Sequence, residues 1–440
     1  MRRRLILGAA AVLVATVAAL LGGVLAGEPS AQPPAPATAR GADPAGQFLQ
    51  GFSPGDTEGQ VARLEQRVQE NPRDAEGSSL LGLGYQQRAR ETGDPSFYAR
   101  SEEALRRALA LAPRDGLAVT GLAALAASRH SFEEARRLAE RARRLAPGLT
   151  AVNGILGDAL VELGRYEEAF AAFDRMAARK PSLAAYARIA YARELLGDPA
   201  GAIEAMKLAV DAGVGGGENE AWALVELGHL YFNSGRLRLA ERAYREALAR
   251  FPGYHRAQAG LGRVRAARGN LDAAVGLYRR ALEAVPLPEY AAALGEALEA
   301  ARRTAEAEEA YAVVDATQRL LEANGVRTDL ETALVDLDRG RRVADALARA
   351  REAYVERRSV QAEDILAWAL YKNGRCREAR VHSELALRLG TRDARMLFHR
   401  GLIERCLGRR DEAEAFLRRA LAVNPYFSLR HAPVARKALR

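Results

Sequence analysis

The chain has 440 residues, 49% hydrophobic and 6% aromatic, with 65 Lys and Arg against 56 Asp and Glu, a formal net charge of +9. Three of those charges are Arg2, Arg3 and Arg4. Arg pairs elsewhere (Arg106–Arg107, Arg143–Arg144, Arg279–Arg280, Arg418–Arg419) lie mostly among Glu at helical spacing, which describes a solvated helix face rather than the clustered basic and aromatic footprint of a nucleic-acid binder.

The first element is Leu5–Ala26, 22 uncharged residues behind the three Arg. That is long enough to span a bilayer and longer than the apolar core of a cleavable signal. The basic flank holds the N-terminus in the cytoplasm. Residues 1–26 are therefore expected to be a signal-anchor, with a cleaved signal as the alternative; both place the rest of the chain outside the cytoplasm. Residues 27–55 are rich in Ala, Pro and Gly and read as a tether.

From residue 56 the pattern becomes helical. Asp56–Glu70 carries Val61, Leu64 and Val68 on one face and reads as a half-repeat. A first hairpin begins near Ala75, with Leu83, Gly84 and Ala108, an inserted turn at Gly93-Asp94-Pro95, and a close at Pro113. The second ends at Pro147 with Ala135, Ala139 and Ala142 in register; His130 takes its turn position and is read as a left-handed turn residue. The third runs from Gly157 through Gly164, Ala169, Phe173 and Met176 to Pro181. The fourth (Gly197, Ala202, Met206) runs into Gly213–Gly217, read as a flexible joint; no Lys-Ser or Lys-Thr follows, so it is not a phosphate loop.

The fifth hairpin, Trp222–Pro252, has the most complete pattern: Gly228, Gly235, Ala240, Tyr244, Ala247, Pro252. The same offsets recur in the sixth from Gly262 (Gly269, Ala274, Tyr278, Ala281, Pro286) and in the tenth from Gly401 (Gly408, Ala413, Leu417, Ala420, Pro425). Between them the seventh (Gly295, Ala307, Tyr311) lacks its closing Pro. The eighth, Leu330–Arg358, is degenerate, and the ninth, Val360–Gly390, regains register with Gly374, Ala379 and Ala386. Small residues at fixed offsets let two helices approach closely around one large side chain, and a period of about 34 residues marks a helix-turn-helix solenoid.

At Leu227, Gly228, Tyr231, Ala240, Tyr244, Ala247 and Pro252 the pattern resembles the tetratricopeptide repeat family. The resemblance covers roughly residues 57–425. It implies an all-α, right-handed solenoid of about ten hairpins over residues 56–427, followed by a basic tail at 428–440. It also implies a protein-binding function on a concave face lined by the first helices. Aromatic and Arg residues are the usual anchors of interfaces. Mapping the groove-facing turns gives Trp222, His229, Phe232, Asn233, Arg256, Arg263, Trp368, Tyr371, Lys372, Arg395, Phe398, His399 and Arg405, with packing between repeats as the alternative for the aromatics. Gly154, Val225 and Ala259 stand where some relatives place Lys to clamp a peptide carboxylate.

No catalytic motif is present, and the six His and two Cys lack metal-ligand spacing. No cofactor or metal is expected. Cys376 begins a second helix and Cys406 ends the next first helix. Antiparallel neighbours could bring them to disulfide distance; otherwise they are two small buried side chains. The expected function is a non-catalytic extracytoplasmic scaffold for a protein or peptide partner. The alternatives are a structural assembly factor of an envelope or secretion complex, whose repeats self-associate, and an accessory subunit of an enzyme.

Overall fold

A computed structural model describes residues 56–213 and 217–440. The Leu5–Ala26 run, the 27–55 tether and the middle of the Gly run lie outside the described residues. Among the described residues there are 22 helices and no strand, and no helix is long and apolar enough to cross a membrane. Helix α1 (Thr57–Glu70) is the half-repeat. Ten hairpins follow, from α2 (Ala75–Thr92) with α3 (Ser96–Leu111) to α20 (Ala394–Cys406) with α21 (Arg410–Val423), and α22 (His431–Ala438) closes the chain. The ten hairpins read from the sequence are all present, including the degenerate eighth, Asp329–Arg339 with Val343–Glu356.

The small residues act where their spacing places them. A Cβ on Gly228 would stand 2.7 Å from Tyr244 Cδ1, and one on Gly260, in the next hairpin, 2.5 Å from Tyr244 Cε1. Tyr244 is fully buried between two backbones that only glycine lets approach. Gly157 faces Phe173, Gly295 faces Tyr311 and Gly401 faces Leu417 in the same way. In the first hairpin the close approach falls on Gly82, against Leu105, two residues before the Gly84 that the spacing suggests. Second helices bury an Ala stripe and expose Arg and Glu, paired one turn apart as in Arg106–Glu102, Arg136–Glu140 and Arg418–Glu414. His130 takes φ 60° at its turn, where most other hairpins place a left-handed Gly.

One feature of the architecture has no signature in the repeat. The chain returns onto itself after about one turn of superhelix, and five successive hairpin turns seat against five successive inter-hairpin loops. Gly93 lies against Val285. His130 Nδ1–H donates to the Arg327 carbonyl at 2.6 Å. The Arg358 N–H donates to the Glu162 carbonyl at 2.8 Å and the Val360 N–H to the Tyr166 hydroxyl at 2.6 Å. Thr391 Oγ1 donates to the Leu195 carbonyl at 2.6 Å, and Asn424 Nδ2 to the Phe232 carbonyl at 2.9 Å. These hydrogen-bonded partners are 192–197 residues apart. The contacts at Leu195 and Phe232 flank the Gly213–Gly217 segment on both sides, so a hinge there would have to break one of them.

Candidate functional site

The first helices form the inner layer of this coil, and their side chains that escape packing define its concave wall. From hairpins four to six that wall is charged. Glu226 and Arg256 are half-buried, face one another electrostatically, and form no hydrogen bond or ion pair among the described residues. Burial among neighbouring helices pushes the Glu226 carboxyl up to about 7, against the pull of Arg256 and with the help of Glu194. The same desolvation raises Glu194, Glu218 and Glu289. His229 is pushed down to about 3 by burial and then by Arg263 and Arg256, so it is neutral; its Nδ1 and the Tyr244 hydroxyl are hydrogen bonded at 2.8 Å. Arg90, on the first hairpin, lies close enough to interact with both Glu218 and Arg256.

Eleven of the thirteen side chains expected to face the groove divide into three groups, with Tyr371 and Lys372, both half-buried against Trp368, apart from them. Trp222, His229, Asn233, Arg256 and Arg263 are half-buried on the wall; Arg263 lies 4.0 Å above the Phe232 ring, and Asn233 donates to Glu194 at 3.2 Å. Arg395 and Arg405 are exposed. Phe232, Trp368, Phe398 and His399 are buried, and the last three are covered by the chain's own C-terminus. Tyr371 stacks on Trp368 with ring centroids 5.0 Å apart, and Lys372 sits 4.9 Å over the same ring.

The tail extends back across the first helices of hairpins seven to ten. Ser428 Oγ donates to Glu296 at 3.1 Å and the Arg430 N–H to the same carboxylate at 3.0 Å. The Arg430 guanidinium pairs with Glu299 and reaches the Tyr311 hydroxyl at 3.2 Å. The His431 ring stacks on Phe398 at 4.9 Å and meets Trp368 edge-on at 5.7 Å, while Phe427 packs against Phe398 at 5.6 Å. Burial, then the nearby His399, Arg430, Lys372 and Arg395, pushes His431 down to about 2. The basic tail read from the sequence thus fills the end of the groove where the aromatic candidates sit.

Sequence reasoning overlooked Arg90, Glu194, Glu218, Glu226 and Glu289. The available signal was a charge inside a first helix otherwise made of Ala, Leu and Gly, as in the Ala-Leu-Val-Glu-Leu-Gly of hairpin five. The fold also brings Asp338, His399 and His431 together, from three helices whose sequence spacing says nothing of proximity. The structure joins Cys376 and Cys406 in a disulfide, Cα atoms 6.2 Å apart.

Three stretches, residues 156–216, 225–287 and 366–426, match the tetratricopeptide repeat family model. They are hairpins three to six, nine and ten, where the Gly, aromatic and Ala offsets are most complete, and the chain carries tetratricopeptide repeats there. Such repeats are generally non-catalytic protein-binding scaffolds, so the comparison points to a protein-binding role. No curated protein matches the chain by sequence. Among solved structures, MamA aligns at 23% identity over 37% of this chain and 92% of its own, with a TM-score of 0.29. Pseudomonas aeruginosa PilF aligns at 19% over 49% and 95%, with a TM-score of 0.35. The Cut9–Hcn1 hetero-tetramer of the APC/C aligns at 12% over 88% and 93%, with a TM-score of 0.38.

Proposed function

We propose that this protein is a non-catalytic adaptor, held outside the cytoplasm, that binds an extended segment of a partner along the concave wall of hairpins four to six. The observation that carries this reading is the pair Glu226 and Arg256. Two opposite charges are half-buried on the wall with no hydrogen-bond partner among the described residues, and water that serves them there is open to displacement by a partner's polar groups. A partner's backbone and charged side chains would supply the missing hydrogen bonds, and Trp222 and His229 beside them offer an aromatic rim. The location is supported by the uncharged 22-residue run behind three Arg and by a Cys376–Cys406 disulfide, which suits an oxidising compartment.

The test is site-specific photocrosslinking in cells with the probe at Trp222, at His229, or at Leu239 on an exposed second-helix position. A partner crosslinked from the first two and absent from the third supports the wall as the working surface. Equal crosslinking from Leu239 overturns it. Crosslinks only between copies of the chain would favour the structural assembly role.

A further inference from the structure

The cluster of Asp338, His399 and His431 has a construction that packing alone does not explain. Asp338 lies on the first helix of hairpin eight, His399 on that of hairpin ten, and His431 opens the C-terminal helix. One donor atom from each falls within a set whose members are all within 4.8 Å of one another. His399 is fully buried, and its Nδ1–H donates to both Asp364 oxygens at 3.0 Å. That leaves Nε2 as a bare lone pair, buried with no hydrogen-bond partner among the described residues. His431 is also buried; its Nε2 stands 3.7 Å from Asp338 Oδ1, and its Nδ1 has no hydrogen-bond partner among the described residues. Asp338 is fixed by the Trp368 indole N–H, which donates to Oδ1 at 2.9 Å.

A carboxylate that orients one imidazole nitrogen and leaves the other free is the usual second layer of a metal site. We propose that Asp338, His399 and His431 bind one divalent transition-metal ion, zinc fitting the two-imidazole, one-carboxylate set best, and that the ion pins the C-terminal helix into the groove. Bond lengths of about 2.0–2.2 Å require these donors to close by roughly an ångström, a side-chain adjustment. Lys372, Arg395 and Arg430 lie near enough to oppose a cation, and the carboxylates of Asp338, Asp364 and Asp393 act against them. Three protein ligands leave a fourth position for water, and the ion would tie hairpins eight and ten to the tail.

The experiment is isothermal titration of zinc into the full-length protein after chelator treatment and desalting, beside His399→Gln, His431→Asn and Asp364→Asn variants shown folded by circular dichroism. The expected result is one zinc per chain, affinity reduced on the order of 10–100-fold by Asp364→Asn and by at least that much in the two His variants. Zinc should also slow amide exchange across His431–Ala438 in the unsubstituted chain. In a Trp222→Phe background Trp368, stacked on His399 at 4.1 Å, becomes the sole indole reporter, and nickel should quench it stoichiometrically. A folded, unsubstituted chain that takes up no stoichiometric zinc overturns the proposal, leaving the three groups a water-bridged polar network. Unchanged affinity in His431→Asn overturns it too.

Discussion

Two glycines one repeat and a half apart should answer the same substitution with opposite signs. Gly276 lies in the middle of the second helix of hairpin six, Leu271–Ala284, where an added Cβ would touch only Arg280 Nη1 at 3.8 Å. Gly276→Ala therefore gains the intrinsic helix preference of alanine, about 0.8–1.0 kcal/mol. Gly228→Ala has the same gain available, but its Cβ would stand 2.7 Å from Tyr244 Cδ1. The ring has little room to retreat, because the Gly260 backbone of the next hairpin packs so close to it that a Cβ there would stand 2.5 Å from Tyr244 Cε1. Overpacking of a filled core costs about 1–3 kcal/mol, so the net change at Gly228 is a loss of up to about 2 kcal/mol. Urea unfolding followed by circular dichroism measures both. A Tyr244→Leu background supplies the control, since removing the ring should turn Gly228→Ala from destabilising to neutral or better. If Gly228→Ala and Gly276→Ala stabilise equally, the close approach around Tyr244 is wrong and with it the packing rule of every repeat.

Gly197→Ala should cost more than Gly408→Ala. Both have left-handed backbone, worth about 1–2 kcal/mol against a side chain, but only at Gly197 would the new Cβ meet another superhelical turn, 3.0 Å from the Gly390 carbonyl carbon, while Gly408 opens to solvent; equal melting temperatures would argue against seated turns. Glu226 has a folded pKa raised to about 7 by burial, so its contribution is fully present below its unfolded value near pH 4.5 and is lost as pH rises through 7. Glu226→Gln should accordingly raise stability at pH 8, on the order of 1 kcal/mol after allowing for partial exposure, and change little at pH 4; a pH-independent effect would count against the desolvated wall. Reduction of Cys376–Cys406, which closes a loop of 30 residues, should cost about 3–4 kcal/mol on chain-entropy grounds, read as a lower urea midpoint with reductant that a Cys376→Ala/Cys406→Ala chain does not show.

The local fold was legible because its cause is local. Gly228, Tyr244, Ala247 and Pro252 stand at separations fixed by the geometry of two crossing helices, and the same cause acts in each repeat. His130 could be read as a turn residue for that reason. The partnership of Glu162 with Arg358, or of Phe232 with Asn424, depends on the small rotation between hairpins accumulated over about one superhelical turn. No residue type encodes it, and an error of a few degrees per hairpin would separate the turns. The aromatic candidates were similarly beyond reach of spacing. Trp368 and Phe398 do sit on first helices, on the inner layer, yet whether they meet a partner or their own tail depends on a return from His431 across four hairpins.

That return alters what the concave surface can accept. At hairpins seven to ten any occupant must first release Ser428 and Arg430 from Glu296 and Glu299 and expose Trp368 and Phe398, so its apparent affinity falls by the fraction of chains in which the tail is undocked. On the proposed wall of hairpins four to six no such release is needed: Glu226 and Arg256 are half-buried without a hydrogen-bond partner among the described residues, and contacts with the adjacent superhelical turn brace the hairpins before a partner arrives. Rigidity of that kind removes ordering cost from binding. The two ends of the inner layer therefore present different surfaces, one not covered by the tail among the described residues, the other filled by it. A ligand that stabilises the docked tail would leave the open wall untouched while closing the other.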